Sequence, residues 1–368
     1  MTNVVVLGGA CIDQYENQNA LGSFLEPRLG GDAANTAVRL ATARNHGWGV
    51  GDVSLAALVG MQAKEGGVGG QYIIDQLTAA GVQHDSAFRH NGLVRNAVWR
   101  WNKESQKHRL DQAASDADPN YSYLEDPVDL IENIAPCISA PEKGCIVLAA
   151  SMATTLAWPG YSKYAETPLV WDAILITSPN TREIKPDDTI TIKGHEFNKR
   201  EIYNEELKCQ FRRSDIVVVS EDDLQHMYPD LLDDDVRLAH LKSQIKSSAV
   251  LILSRGKAGL EINIPGENQL IQVKAPVINN AQSTVGAGGA ALTGLVLGLA
   301  AAKIEKNYQI KQLGADEWRA IGQTMAAFSE YHLRSGNPYL NGEKPPAFPR
   351  PVKQCAIQPG EPRTQPKS

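Results

Sequence analysis

Apolar residues in this chain gather in short unbroken runs, and between the runs they recur every three or four positions. Val4-Val5-Val6-Leu7, closed by Gly8-Gly9, is the first run; Ser54–Val59, Cys145–Ala149, Ala173–Thr177, Ile216–Val219 and Val250–Ser254 follow the same form. Runs of this length bounded by turn residues predict strands buried on both faces. Helical spacing is carried by Ala33–Ala43, Gln71–Ala80, Leu231–Ile245, Ala290–Ile304 and Glu317–Leu333. Strands without alternation, separated by helices, predict an α/β fold: a mostly parallel central sheet covered on both faces, three layers in all.

Two stretches break the alternation. Residues 10–29 and 86–112, the latter with strand composition from Val94 to Trp101, predict a small β appendage. Residues 183–212 are polar and charged around an Ile-Thr-Ile-Lys-Gly hairpin segment, which predicts a surface insertion. Residues 342–368 are rich in Pro, Gly and charge with little to bury, so a disordered tail or extended clasp is expected. The remaining residues, 1–341, are read as one α/β domain. A chain of 368 residues can bury a large core.

Charge and cysteine usage narrow the partners. A net charge of −6, with no basic run, argues against a nucleic-acid or anionic-membrane partner and for a small molecule. The five cysteines are scattered without CxxC spacing, so neither a disulfide framework nor a zinc site is suggested, and a reducing cytoplasm is the expected setting. The N-terminus has no basic region before its first strand, which speaks against a signal peptide. The apolar run from Ala290 to Ala302 is too short to span a bilayer and reads as a core helix.

The chemistry concentrates in Ser283-Thr284-Val285-Gly286-Ala287-Gly288-Gly289, placed between Val277-Ile278, read as a strand, and the long apolar helix. Small residues at a helix start let backbone N–H groups crowd around an anion, and the helix dipole adds partial positive charge. Gly286, Ala287 and Gly288 are therefore the candidate anion hole. Upstream, Gly8-Gly9 leads to Asp13, and Gly30-Gly31 leads to Asn35, whose amide both donates and accepts, as a ligand made of hydroxyls requires. A Gly-Gly and an Asn before a helix also suit a plain cap.

In this order, the stations resemble the PfkB, or ribokinase-like, carbohydrate kinases over about residues 3–335. The cradle is similar to that family's D-T-x-G-A-G-D signature, and Leu29–Ala37 to its G-G-x-x-x-N-x-A box. Leu58–Val82 resembles the V-G-x-D-x-x-G stretch without its Asp. Ser178-Pro179-Asn180-Thr181-Arg182 is similar to D-x-N-x-R, and Ser220 to Asp223 to the N-x-x-E magnesium motif. Ser254 to Gly259 is similar to the T-x-G-x-x-G nucleotide element.

What the resemblance implies is specific. Asp13, Gly30, Gly31 and Asn35 would bind a sugar or polyol; Ser254, Gly256 and Gly259 would bind ATP; Asp223 would reach Mg2+ through water. A β lid over the sugar is implied, and with it a homodimer through the lid. The general base belongs at position 289, which here is Gly289; Ser283, Ser220 and Ser178 also stand where the family keeps Asp or Asn. The expectation is a homologue that binds ATP and a small polyol but is catalytically impaired. Two other readings stay open from sequence: an active kinase with an unusual base, and a non-catalytic structural or interaction protein.

Overall fold

A computed structural model describes residues 1–63, 67–84, 88–104, 107–111, 145–150, 173–179, 189–192, 195–198, 210–267, 270–279, 286–304 and 307–335, with single positions at 201, 204, 207, 208 and 281. Its centre is an eight-stranded sheet. From one edge it runs β16 (Ile271–Val273), β15 (Leu260–Asn263), β14 (Val250–Ser254), β13 (Ile216–Ser220), β10 (Ile174–Thr177), β9 (Cys145–Ala149), β1 (Thr2–Leu7) and β4 (Val50–Ala56). The six strands from β14 to β4 are parallel, and β15 and β16 continue antiparallel. Val4, Val6, Ile146, Leu148, Ile174, Ile176, Ile216 and Ile252 are buried, as strands covered on both faces must be.

Helices supply the covering layers. α1 (Asp32–Asn45), α5 (Ala287–Ala301) and α7 (Ala315–Ser335) pack together, with α1 against β1 and β4 and α7 against β15 and β16. α3 (Glu221–Met227) and α4 (Asp234–Gln244) lie between β13 and β14 in the chain. The path from β1 to β4 and the path from β9 through β14 run in opposite directions across the sheet. Right-handed crossovers therefore put α1 on one face and the α3–α4 connection on the other. α2 (Gly70–Ala80) and the short α6 (Asn307–Ile310) complete the helices.

Outside the main sheet, β3 (Arg28–Gly30), β2 (Cys11–Tyr15), β7 (Asn96–Asn102) and β8 (Lys107–Leu110) form a four-stranded sheet in that order. It is drawn from the two stretches that break the alternation. β5 (Leu58–Gln62) pairs with β6 (Phe88–Leu93), and β11 (Thr189–Ile192) with β12 (His195–Asn198). Residues 342–368 lie outside the described residues.

Local signals shift some sequence boundaries. Ser54–Val59 is not one strand: β4 ends at Ala56, and the chain resumes at Leu58 as β5, paired with β6. The helix expected from Leu231 begins at Asp234, because Asp233 Oδ1 accepts from the N–H groups of Asp235 and Val236 at 2.8 and 3.1 Å and caps it there. The helix expected from Ala290 begins three residues earlier, at Ala287, after Gly286 turns the chain through φ +88. Val277-Ile278 is not a strand, and Val277 is 83% exposed.

Candidate active site

The parallel strands deliver their C-terminal ends to one edge of the sheet. Leu7 pairs with Ala56 and Ala149, Ala149 with Thr177, and Ser220 with Ser254, so the turns after β1, β9, β10, β13 and β14 share that edge. The strand order reverses direction beside β1, and in such sheets ligands bind outside the carboxyl ends at the reversal.

Above this edge the cradle opens α5. The N–H groups of Ala287, Gly288 and Gly289 belong to the first turn, where no intrahelical carbonyl is available to them. Gly288 is exposed, and among the described residues a Cβ there would meet nothing within 4 Å, so this face of the turn is open to them. The turn is held from both sides: Thr36 Oγ1 donates to the Gly289 carbonyl at 3.4 Å, Thr293 Oγ1 donates to it at 3.0 Å, and Ser329 Oγ donates to the Ala287 carbonyl at 3.1 Å. Gly289 itself is buried. A Cβ at that position would lie 3.0 Å from Arg39 Nη1, 3.3 Å from Thr36 Oγ1 and 3.6 Å from Asp32 Oδ1. Ser283 lies outside the described residues, as do Asn180 and Arg182.

The Gly30-Gly31-Asn35 box meets the cradle through α1. Gly31 has φ +89, and a Cβ on it would run into the Gly9 carbonyl; one on Gly30 would run into the Asp13 carboxylate. Both glycines are thus required by close approach of backbone and side chain. Asp13, on β2, is buried beside them and accepts from Trp99 Nε1 at 3.1 Å, the Tyr15 hydroxyl at 3.4 Å and Cys11 Sγ at 3.7 Å. Burial pushes its carboxyl up to about 6, against the pull of these three donors. Asn35, 8% exposed, donates its backbone N–H to Gly31 at 3.0 Å, while its side-chain Oδ1 is buried with no hydrogen-bond partner among the described residues.

The nucleotide-like segment lies further along the same edge. Ser254 ends β14, Gly256 opens a single 3-10 turn at φ +51, and Gly259 closes it at φ +104, where any Cβ would strike the Val273 carbonyl and lie 2.7 Å from the Ala275 nitrogen. Arg255 anchors the turn through Glu221 at 2.5 Å and Glu261 at 2.9 Å. Asp223 stands in the first turn of α3, just after the neighbouring β13, and engages in a capping box: its Oδ2 accepts from the Ser220 hydroxyl at 2.5 Å and the Ser220 N–H at 3.0 Å. Among the described residues no three His, Cys, Asp or Glu side chains gather to hold a metal directly.

Arg39 was not singled out from sequence, nor were Thr36 and His332. The signal was present: Asp32, Asn35, Thr36 and Arg39 recur at three- and four-residue spacing along a helix whose other positions from Ala33 to Ala41 are apolar and buried. That is a polar stripe aimed at one place.

No protein-family model matches the sequence, and no curated protein matches it. Solved structures do. Aminoimidazole riboside kinase from Salmonella enterica superimposes with TM-score 0.61 at 16% identity, covering 91% of this chain and 94% of that one. Fructokinase from Vibrio cholerae O395, crystallised with fructose, ADP and calcium, gives 0.63 at 14%, covering 92% and 94%. A sugar kinase from Pyrococcus horikoshii in complex with ATP gives 0.58 at 15%, covering 89% and 91%. The chain has the ribokinase-like fold. No helix among the described residues is long and apolar enough to cross a membrane.

Proposed function

We propose that this protein binds ATP and a sugar or other small polyol in the cleft at the strand ends, and that phosphoryl transfer there is impaired. The observation that carries the reading is at Gly289: α5 opens on a glycine-rich first turn, and at the position where the resemblance implies a base there is a glycine whose Cβ position faces the Arg39 guanidinium. Positioning and charge stabilisation are separable from proton removal in phosphoryl transfer. A positioned general base supplies about 10²–10⁴-fold, and glycine supplies none of it.

Several features support the binding half. The cradle opens on free space at Gly288, the turn from Gly256 to Gly259 has the close backbone packing a nucleotide loop needs, and the buried Asn35 Oδ1 suits a hydroxyl donor. Nucleotide phosphates would carry most of the coordination of a magnesium ion, with Asp223 reached through water. Isothermal calorimetry with ATP and ADP, with and without magnesium, is expected to show binding, and a panel of sugars, nucleosides and sugar phosphates is expected to show turnover at background. No binding at millimolar nucleotide removes the ligand; robust turnover removes the impairment.

One observation favours a second reading, an active kinase with a displaced base. Asp32 Oδ1 is 3.6 Å from the Cβ position of residue 289. The same guanidinium weakens this reading, because a cation beside a carboxylate lowers its proton affinity and hence its strength as a base. Turnover that is lost in Asp32→Asn would favour the displaced base.

A further inference from the structure

We propose that Arg39 sets the charge of the pocket: its guanidinium stands against the place where a base at position 289 would work, and would hold any carboxylate there as an ion-pair partner that cannot accept a proton. The inference rests on reading position 289 as the vacated base position. It makes Arg39 a bar that would remain if a carboxylate were restored at residue 289.

The geometry is confined to three helices. Arg39 is 3% exposed on α1, three residues beyond Thr36 and seven beyond Asp32. Its Nη1 lies 3.0 Å from the Cβ position of Gly289 and its Nη2 3.4 Å from that of Gly286, so the guanidinium spans the start of α5. Among the described residues, Asp32 from α1 and His332 from α7 are further titratable groups at this junction, and His332 Nε2 is 3.3 Å from the Cβ position of Gly286. A carboxyl carbon one bond beyond the Cβ of residue 289 falls within ion-pair range of Nη1. Such a neighbour lowers a carboxyl pKa by about 1–3 units, and the positive end of the α5 dipole acts in the same sense. Asp32, a like charge at 3.6 Å from the same Cβ position, acts in the opposite sense from further away than Nη1, so an acid placed at 289 alone is expected to be ionised and paired with Arg39.

A double-mutant cycle tests this without a known substrate. Gly289→Asp and Gly289→Asn are each made in the native chain and in Arg39→Met, and thermal unfolding is followed from about pH 7 downward. In the native background the acid is expected to melt above the amide. A carboxyl whose folded pKa is depressed stabilises above its unfolded pKa of about 3.9, and that stabilisation is lost as pH falls through the folded value. In Arg39→Met the gap is expected to close, and in Arg39→Lys to return in part. Equal gaps in the Met and native backgrounds overturn the proposal. Should Arg39→Met not fold, carboxyl 13C titration of the acid in Gly289→Asp decides: a pKa below the ordinary carboxylate range supports the capture, and an ordinary or raised one overturns it. Turnover by the unaltered chain bears only on the base reading, so failure of one claim is distinguishable from failure of the other.

Discussion

Asp13 carries a cost in its buried carboxylate. It is 6% exposed, and its pKa of about 6 lies about two units above an ordinary aspartate, chiefly through burial. The folded state therefore binds a proton that the unfolded chain releases, so this group's contribution to stability is greatest below about pH 4 and declines as pH rises through about 6. Two units correspond to about 3 kcal/mol as an upper figure. Asp13→Asn, which keeps an acceptor for Trp99 Nε1, is expected to flatten the pH dependence between about pH 4 and 6 and to raise the melting temperature at about pH 7, while weakening polyol binding. Melting curves across that window check it. At Gly288 the opposite logic applies. The position is exposed and none of the described residues stands within 4 Å of a Cβ there, so Gly288→Asp is expected to leave the melting temperature nearly unchanged and to abolish nucleotide binding through repulsion of phosphate. Unchanged affinity in calorimetry would place the anion site elsewhere.

At the scale of elements, α5 shows how small residues serve two ends of one helix. Its first turn carries Gly288 at an exposed position; further along, Gly294 and Gly298 let α7 approach closely. A Cβ on Gly294 would lie 2.7 Å from the Met325 Cα and the Thr324 carbonyl, both backbone, and one on Gly298 would lie 3.2 Å from Ile321. Gly294→Ala is expected to cost about 1–3 kcal/mol through overpacking, whereas Gly288→Ala, with open space and better helix propensity, should be neutral or stabilising by up to about 1 kcal/mol. Chemical denaturation of the two variants side by side measures the contrast. The same helix shows what was legible in the sequence. The parallel strands declared themselves, because burial on both faces leaves continuous apolar runs. Helix starts did not, since they are decided by single caps such as Asp233 and by the left-handed turn at Gly286 rather than by periodicity. Arg39 was hidden for a related reason: a long cationic side chain on a helix is usually solvated, and only the neighbouring elements reveal that this one is buried.

For the whole molecule, the candidate site is shared between two sheets joined by very short connections. Gly8 to Ala10 link β1 to β2, and Gly31 alone separates β3 from α1, so Asp13 on the small sheet and Asn35 on the main body are held in one frame. The resemblance located both ends of this arrangement from motifs, but not the α1–α5–α7 junction, which unites residues 32–39, 286–289 and 332 across nearly the whole chain and carries no contiguous signature. Such a layout separates the expected footprints of two ligands. ATP should protect amides of residues 255–259 and of 287–289, the latter being first-turn N–H groups without an intrahelical carbonyl; a polyol should protect residues 11–15 and 30–36, ordering the small sheet against α1. Hydrogen exchange with each ligand alone and with both together reads this directly. Binding of the first ligand pays part of the ordering cost of the shared α1–α5 contact, through Thr36 and Gly289, so affinity for the second is expected to rise. Protection by ATP centred instead on residues 225–237, around the start of α4, would show that the cradle is not the nucleotide site, and independent footprints with no change in affinity would show that the two sheets do not communicate through α1.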